Sequence, residues 1–342
     1  MKLKKIILLL IVVALFVSFG VTQAYAQSIR LSHEMSADTE DPTHGYMLVL
    51  QYYIESTTDM DATIYPSNVL GGMEEVIEQV MAGEIHIGQV SIGGMSHFYQ
   101  DSLIFNLPYG YPRDERVALK LWQRDNDFSR KIYEGIEEEL GVKPIHVFLR
   151  GGFALLSNNV RPVRSVEDMS GIQFRAMDRS QIALYESLGA TGVSIPWEEV
   201  YTALDTGVAD GQMNPSSIFI DANFHEVQDY ITYPGTFPST GMIIVNPQWY
   251  ESLTDEERHS LNIAFDHAFV TSAGLSFRSE ALAEEVLTNR GVEVYHQTEE
   301  EYEEFRDTAL EGVLEWAYDT LGEDLTNEFL EEVERLENEL RN

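Results

Sequence analysis

The stretch from Pro196 to Pro215, PWEEVYTALDTGVADGQMNP, gathers residue types that suit a binding cleft as well as a packed core. Trp197 offers a broad aromatic face that can cover an apolar or ring surface. Asn214 offers an amide that can hydrogen-bond a carboxylate or hydroxyl oxygen. The elements that must position them are legible nearby. Pro196, Glu198 and Glu199 mark a helix start with acids in its first turn, and Val200, Tyr201 and Leu204 recur at helical spacing until Gly207 stops the helix. Val208 to Gly211 reads as a short strand. Gln212, Met213 and Asn214 then follow it, and Pro215 fixes a backbone bend. Trp197 and Asn214 would bracket a cleft. Taken singly, each has a plainer reading, the tryptophan as core and the asparagine as a turn residue.

Motifs for catalysis are missing from the chain. There is no glycine-rich phosphate loop, no serine elbow and no HExxH helix. The 9 histidines are scattered: His259 and His267 share a helix two turns apart, and His86 falls in a strand, so a structural role is expected for each. No metal or other cofactor is expected. An enzyme reading survives only as a hydrolase or lyase with an unfamiliar motif.

Lys2, Lys4 and Lys5 precede an apolar run from Ile6 to Val17, and Ala24-Tyr25-Ala26 supplies a small-x-small cleavage site before Gln27. That is the three-part form of a secretory leader over 1–26. A retained anchor is the competing reading, but the run is short for a membrane span. With 0 cysteines, lipid attachment at a cleavage-site cysteine, disulfides and thiolate metal sites are excluded. The chain carries 22 Lys+Arg against 57 Asp+Glu, a formal charge of −35 that becomes −38 once the three leader lysines are removed. Only Lys120, Lys131 and Lys143 remain as lysines. Such an acidic, lysine-poor surface is expected of a halophile or haloalkaliphile, because salt screens its self-repulsion; an ordinary acidic periplasmic protein is the alternative. Nucleic acid and anionic lipid surfaces are expected to be poor partners, because phosphate binding needs basic patches that this chain lacks.

Residues 27–342 exceed one comfortable core and fit two domains. IRLSH near 29, ATIYP near 62, IHIGQV near 85, KPIHVFL near 143, IQFRAM near 172, GVSIP near 192 and GMIIVN near 241 read as strands separated by helical patterns, an α/β chain. Thr254 with Glu257 and Thr298 with Glu301 have capping-box spacing, and Leu310, Val313, Leu314, Ala317 and Leu321 form a stripe expected to pack on the helix's own domain.

RLSH at 30–33, VMAGEIHIG before Gln89, FNLPY at 105–109, LLSNNVRPVRSVEDMSGIQFRAM ending on Met177, and the Pro196–Pro215 block together resemble the solute-binding proteins of tripartite ATP-independent periplasmic (TRAP) transporters of the DctP, C4-dicarboxylate-binding type. The resemblance covers essentially the whole chain after the leader. It implies a two-domain periplasmic binding protein, type II-like, with a ligand cleft between lobes and a long interdomain helix. By the same resemblance, domain I takes 27–150 plus 240–277, domain II takes 151–239 plus 278–320, and 321–342 form a C-terminal helix. It further implies a non-enzymatic periplasmic receptor that captures an organic acid and delivers it to the small and large membrane subunits of a permease, with no stable membrane insertion of its own. A ligand sensor sharing the fold is the alternative.

The resemblance also assigns residues. Arg175 aligns with the arginine that grips the substrate carboxylate, and a guanidinium offers two parallel donors that a lysine cannot imitate. Asn214 aligns with the amide of the motif, Trp197 with an aromatic placed against the ligand, and Ser91 with a polar contact position that varies with substrate. Two departures bear on the ligand. Glu34 follows RLSH, as in relatives that bind ectoine, where many acid binders carry an apolar or amide residue; its alternative is exposure in an acidic loop with Asp38, Glu40 and Asp41. Phe153-Ala154-Leu155 stand where the family often has a second arginine, with Arg150 several residues earlier and Arg179 as another possible cation. Both departures point to a monocarboxylate, either a zwitterion such as ectoine or a sugar or hydroxy acid, over a C4-dicarboxylate or 2-oxo acid. Closure would be driven by contacts made only in the closed form.

Overall fold

The computed structural model describes residues 28–341; the leader read at 1–26 lies outside them. Among the described residues the strands are β1 (Ile29–Ser32), β2 (Ala62–Tyr65), β3 (Ile87–Ser91), β4 (Lys143–Phe153), β5 (Leu155–Asn158), β6 (Gln173–Ala176), β7 (Thr191–Ser194), β8 (Gly211–Asn214), β9 (Tyr230–Tyr233), β10 (Pro238–Val245) and β11 (Glu293–His296). They form a five-stranded sheet in the order β2-β1-β3-β10-β4 and a six-stranded sheet in the order β11-β9-β5-β8-β6-β7. The strands expected at all seven sequence positions are present. His86 is corrected, since it precedes β3 and its Nδ1 accepts from Arg30 N at 3.0 Å.

Strand alternation builds the first lobe. In β10, Met242 and Ile244 join one hydrophobic cluster while Ile243 and Val245 join another, because successive side chains leave opposite faces of the sheet. In β4, Val147 and Leu149 divide from Phe148 in the same way. Both faces are covered, one by the helix Pro42–Thr57 and the N-terminal part of the helix Asp255–Asn289.

The chain passes between the sheets three times. β4 leads into β5 through Ala154, β9 leads into β10, and the Ala154 amide donates to Phe237 O at 3.0 Å, so the two crossing strands are tied to each other. The third passage is the 35-residue helix Asp255–Asn289, about 50 Å long at 1.5 Å per residue. Both parts of its capping box form between Thr254 and Glu257, and Asp255, Glu256 and Glu257 set negative charge on its positive end. Buried Ala264, Ala268, Ser272 and Ser276 let it lie close, with Ser276 Oγ donating to Leu149 O at 3.1 Å. Its far end packs on the helix Ser216–Asp221 and on β11 of the second sheet. The helix Glu299–Leu321 lies on the helix Arg179–Ser187, burying Val313, Ala317 and Leu321 of the expected stripe, and the helix Glu323–Arg341 returns to the helix Glu115–Leu121.

Candidate ligand-binding site

β1 runs parallel to β2 and β3, and β6 runs parallel to β7 and β8, so each lobe presents the carboxyl ends of parallel strands to the other. Such ends are where open α/β sheets bind ligands. Between the lobes lies a cleft of about 280 Å³ that includes Met73, Gly94 and His97 on one side and Arg175, Met177, Ser194 and Trp197 on the other.

Arg175 sits on β6, where the parallel register sets it beside Val193. It is only 2% exposed, and its Nε donates to Ile195 O at 2.9 Å. Phe174 stacks on Tyr185 at 4.9 Å and Tyr185 Oη donates to Arg175 O at 3.3 Å, which fixes the strand beneath it. Among the described residues no carboxylate forms an ion pair with Arg175. Burial lowers its pKa, opposed by the negative potentials of Tyr185, Asp178, Glu34 and Glu198. A buried guanidinium facing a cleft without a paired carboxylate is a built position for an incoming anion.

Trp197 opens a single 3-10 turn, Trp197–Glu199, that continues into the helix Val200–Asp205, and Gly207 ends this segment with a φ of 73°, as its type required. The indole is half-buried, edge-on to Phe224 at 5.7 Å, and lines the cleft with Arg175. Asn214 is the last residue of β8 rather than a residue after the strand, which corrects the sequence reading. Its Nδ2 donates to Gln212 Oε1 at 2.5 Å, and buried Gln212 continues the chain to Ser157 at 2.8 Å. The side chain is therefore oriented by a buried amide network.

Glu34 and Ser91 are placed differently from their expectations. Glu34 is 8% exposed, so the acidic-loop alternative is overturned, and its carboxylate is ion-paired with Arg150. Ser91 Oγ donates to Met73 Sδ at 2.9 Å and accepts from Gly94 N at 3.0 Å, capping the short turn Ile92–Met95. Glu34, Ser91 and Asn214 are not among the residues lining the 280 Å³ cleft. Its two partners, Met73 and Gly94, do line the cleft.

Residues not singled out from sequence complete the junction. Asn68 Nδ2 donates to Glu198 Oε1 at 2.9 Å, and Ser36 Oγ donates to Asp221, so side chains already bridge the lobes at two edges. Asn106 takes a hydrogen bond from Thr240 Oγ1 at 2.5 Å and donates to Asp178 Oδ2 at 3.2 Å. FNLPY flagged that segment without showing a bridge. Among the described residues no cluster of His, Asp and Glu could hold a metal ion.

A family model for bacterial extracellular solute-binding protein, family 7 (DctP), matches residues 32–319. The chain is 28% identical over 225 residues to the ectoine/5-hydroxyectoine-binding periplasmic protein UehA of Ruegeria pomeroyi, covering 64% of this chain and 65% of that protein, just under two thirds of its length. It is 27% identical over 282 residues to the ectoine-binding periplasmic protein TeaA of Halomonas elongata, covering 79% of this chain and 80% of that one. The fold is shared with the sugar acid binding protein DctPAm from Advenella mimigardefordensis in complex with galactonate, at a TM-score of 0.83 and 21% identity over 91% of this chain and 98% of that chain. The two-sheet architecture, the cleft between the sheets and the match over 32–319 place this chain in the bacterial extracellular solute-binding protein family 7, the DctP family.

Proposed function

We propose that the protein is the periplasmic ligand-capturing subunit of a TRAP transporter, binding an organic acid without turnover and delivering it to the small and large membrane subunits of its permease. The observation that carries this reading is Arg175, buried and without a carboxylate partner at a cleft between two lobes. In this scheme Arg175 takes the carboxylate, Asn214, outside the cleft lining, joins it only as the lobes close, Trp197 covers the rest of the ligand, and Ser91 shapes the opposite wall through Met73 and Gly94. Domain I takes 27–150 and 240–277, domain II takes 151–239 and 278–320, and 321–342 form the C-terminal helix. The leader at 1–26 directs the chain to the periplasm. Among the described residues no helix is long and apolar enough to cross a membrane.

The ligand is a monocarboxylate, either a zwitterion of the ectoine type or a sugar or hydroxy acid. The relatives named for ectoine and the fold neighbour holding galactonate support that class. A thermal-shift screen in molar salt against ectoines, betaines, sugar acids, C4-dicarboxylates and 2-oxo acids tests it, since ligand at about 100 times Kd adds about 2.7 kcal/mol of stability. A rise with ectoine or a sugar acid, and the acid recovered unchanged, is expected. Stabilisation by C4-dicarboxylates alone overturns the ligand class, and turnover of the bound acid overturns the receptor role.

A further inference from the structure

Three side-chain hydrogen bonds that pass from the first lobe to the second share one chemical form. Asn68 Nδ2 donates to Glu198 Oε1 at 2.9 Å, Ser36 Oγ donates to Asp221, and Asn106 Nδ2 donates to Asp178 Oδ2 at 3.2 Å. Each donor is an uncharged side chain of the first lobe, and each acceptor is a carboxylate of the second. Such a bond is charge-assisted, yet it needs no second charge of the kind that molar salt screens in an ion pair. The donors are held before they reach across. Ser67 and Asn68 form a left-handed turn with φ of 54° and 55°. Their amides donate to Met35 O at 2.9 Å and His33 O at 3.3 Å, so this turn and the loop carrying Ser36 make one rim. Asn106 Oδ1 accepts from Thr240 Oγ1 at 2.5 Å, which aims the amide nitrogen at Asp178.

The two lobes are also shaped to meet at these bonds. Neither Gly72 nor Gly93 has the left-handed backbone that would call for glycine. A Cβ on Gly72 would instead fall 3.0 Å from Glu198 Oε1, and one on Gly93 would fall 2.6 Å from Met177 Cγ and 3.0 Å from Asp178 Oδ2. Each acceptor stands close in the chain to a proposed ligand residue. Glu198 shares a turn with Trp197, Asp178 follows the strand that carries Arg175, and Asp221 ends the helix that starts just after Asn214 and Pro215.

We propose that Ser36, Asn68 and Asn106 are positioning residues that latch the lobes, so that closure and the gathering of Trp197, Arg175 and Asn214 around the ligand are one event. This rests on the reading of the cleft as the ligand site. The three donors act on lobe II carboxylates and not on the ligand. Opening the cleft breaks all three bonds, so the latch stabilises the closed, ligand-holding form and slows release.

The chain has 0 cysteines, so spin labels at Tyr52→Cys and Val208→Cys, exposed positions of the two lobes, report a single distance by pulsed electron paramagnetic resonance. In molar salt without ligand, Ser36→Ala/Asn68→Gly is expected to shift this distance away from that of the wild type. Glycine keeps the left-handed turn at 68, so Tm should not fall with it. Gly93→Ala retains every donor and acceptor but wedges the lobes apart, and it should shift the distance in the same direction. An unchanged distance in Ser36→Ala/Asn68→Gly, or opposite shifts in the two variants, overturns the proposal. With galactonate as the probe, Ser36→Ala/Asn68→Gly should release ligand at least fivefold faster in stopped flow, and an equal rate also overturns it. The two readings fail separately: an Arg175→Ala protein that binds galactonate as the wild type does sinks the cleft assignment, whereas the ligand-free distances judge the latch alone.

Discussion

At the scale of single residues, the fork of Arg175 matters more than its charge. Its Nε is spent on Ile195 O, which orients the plane and leaves the terminal nitrogens for a ligand. Arg175→Lys keeps a cation but removes both the anchor and the paired donors, so it should weaken the acid found in the screen by about 10- to 100-fold, roughly 1.4–3 kcal/mol. Calorimetry checks this, and an unchanged Kd would mean that charge alone holds the ligand. Trp197 stands out within the Pro196–Pro215 block, whereas Arg175 is legible only through the family resemblance, because a lone strand arginine in so acidic a chain reads first as a surface ion pair. Glu34 could not be read the same way. Its partner Arg150 is remote in sequence and brought to it by the fold, so the charge that seemed free for a ligand is already shared. Ser91 illustrates the opposite loss, a polar residue in the right place whose hydroxyl is used by Met73 and Gly94.

At the scale of elements, helix starts were legible and short strands were less so. Thr254 and Thr298 announce their helices through contacts within one turn, and both capping boxes form. β5, β9 and β11, each of 4 residues, escaped sequence reading although β1, β2, β6 and β7 are equally short, so length alone does not decide and such runs are held in place by their neighbours. The N-cap of the helix Pro42–Thr57 carries a pH response. Asp41 accepts from His44 N at 2.8 Å while buried, and that burial pushes its pKa up to about 7 from 3.8, against the lowering effects of the His44 N–H and of Arg150. In the folded protein Asp41 keeps its proton up to about pH 7, whereas the unfolded chain ionises near 3.8, so its contribution to stability is full below the lower value and is lost as pH rises through the upper one. Asp41→Asn retains a capping acceptor and abolishes this titration. In urea melts, the variant's stability relative to wild type should climb between about pH 4 and 7, by at most about 1.4 kcal/mol per pH unit, and then level off. A constant difference across that range would show that Asp41 does not titrate there.

At the scale of the whole molecule, charge and topology set the working conditions. Lys120, Lys131 and Arg113 are each spent on a glutamate, yet with 57 acids against 22 bases most carboxylates face water without such a partner. The screening length is about 30 Å at 0.01 M salt and about 3 Å at 1 M, so raising sodium chloride across that range should lift Tm by several degrees. A flat or falling Tm would remove the case for a high-salt habitat. The order in which the strands are laid down has a different consequence. β10 lies between β3 and β4, which do not pair with one another, so the first sheet cannot close until Pro238–Val245 has joined it. A chain delivered from its N-terminus, by a ribosome or through an export channel, therefore holds residues 28–153 in an unfinished sheet while the second lobe is still being made. The fold postpones the completion of its first sheet until Pro238–Val245 has been made.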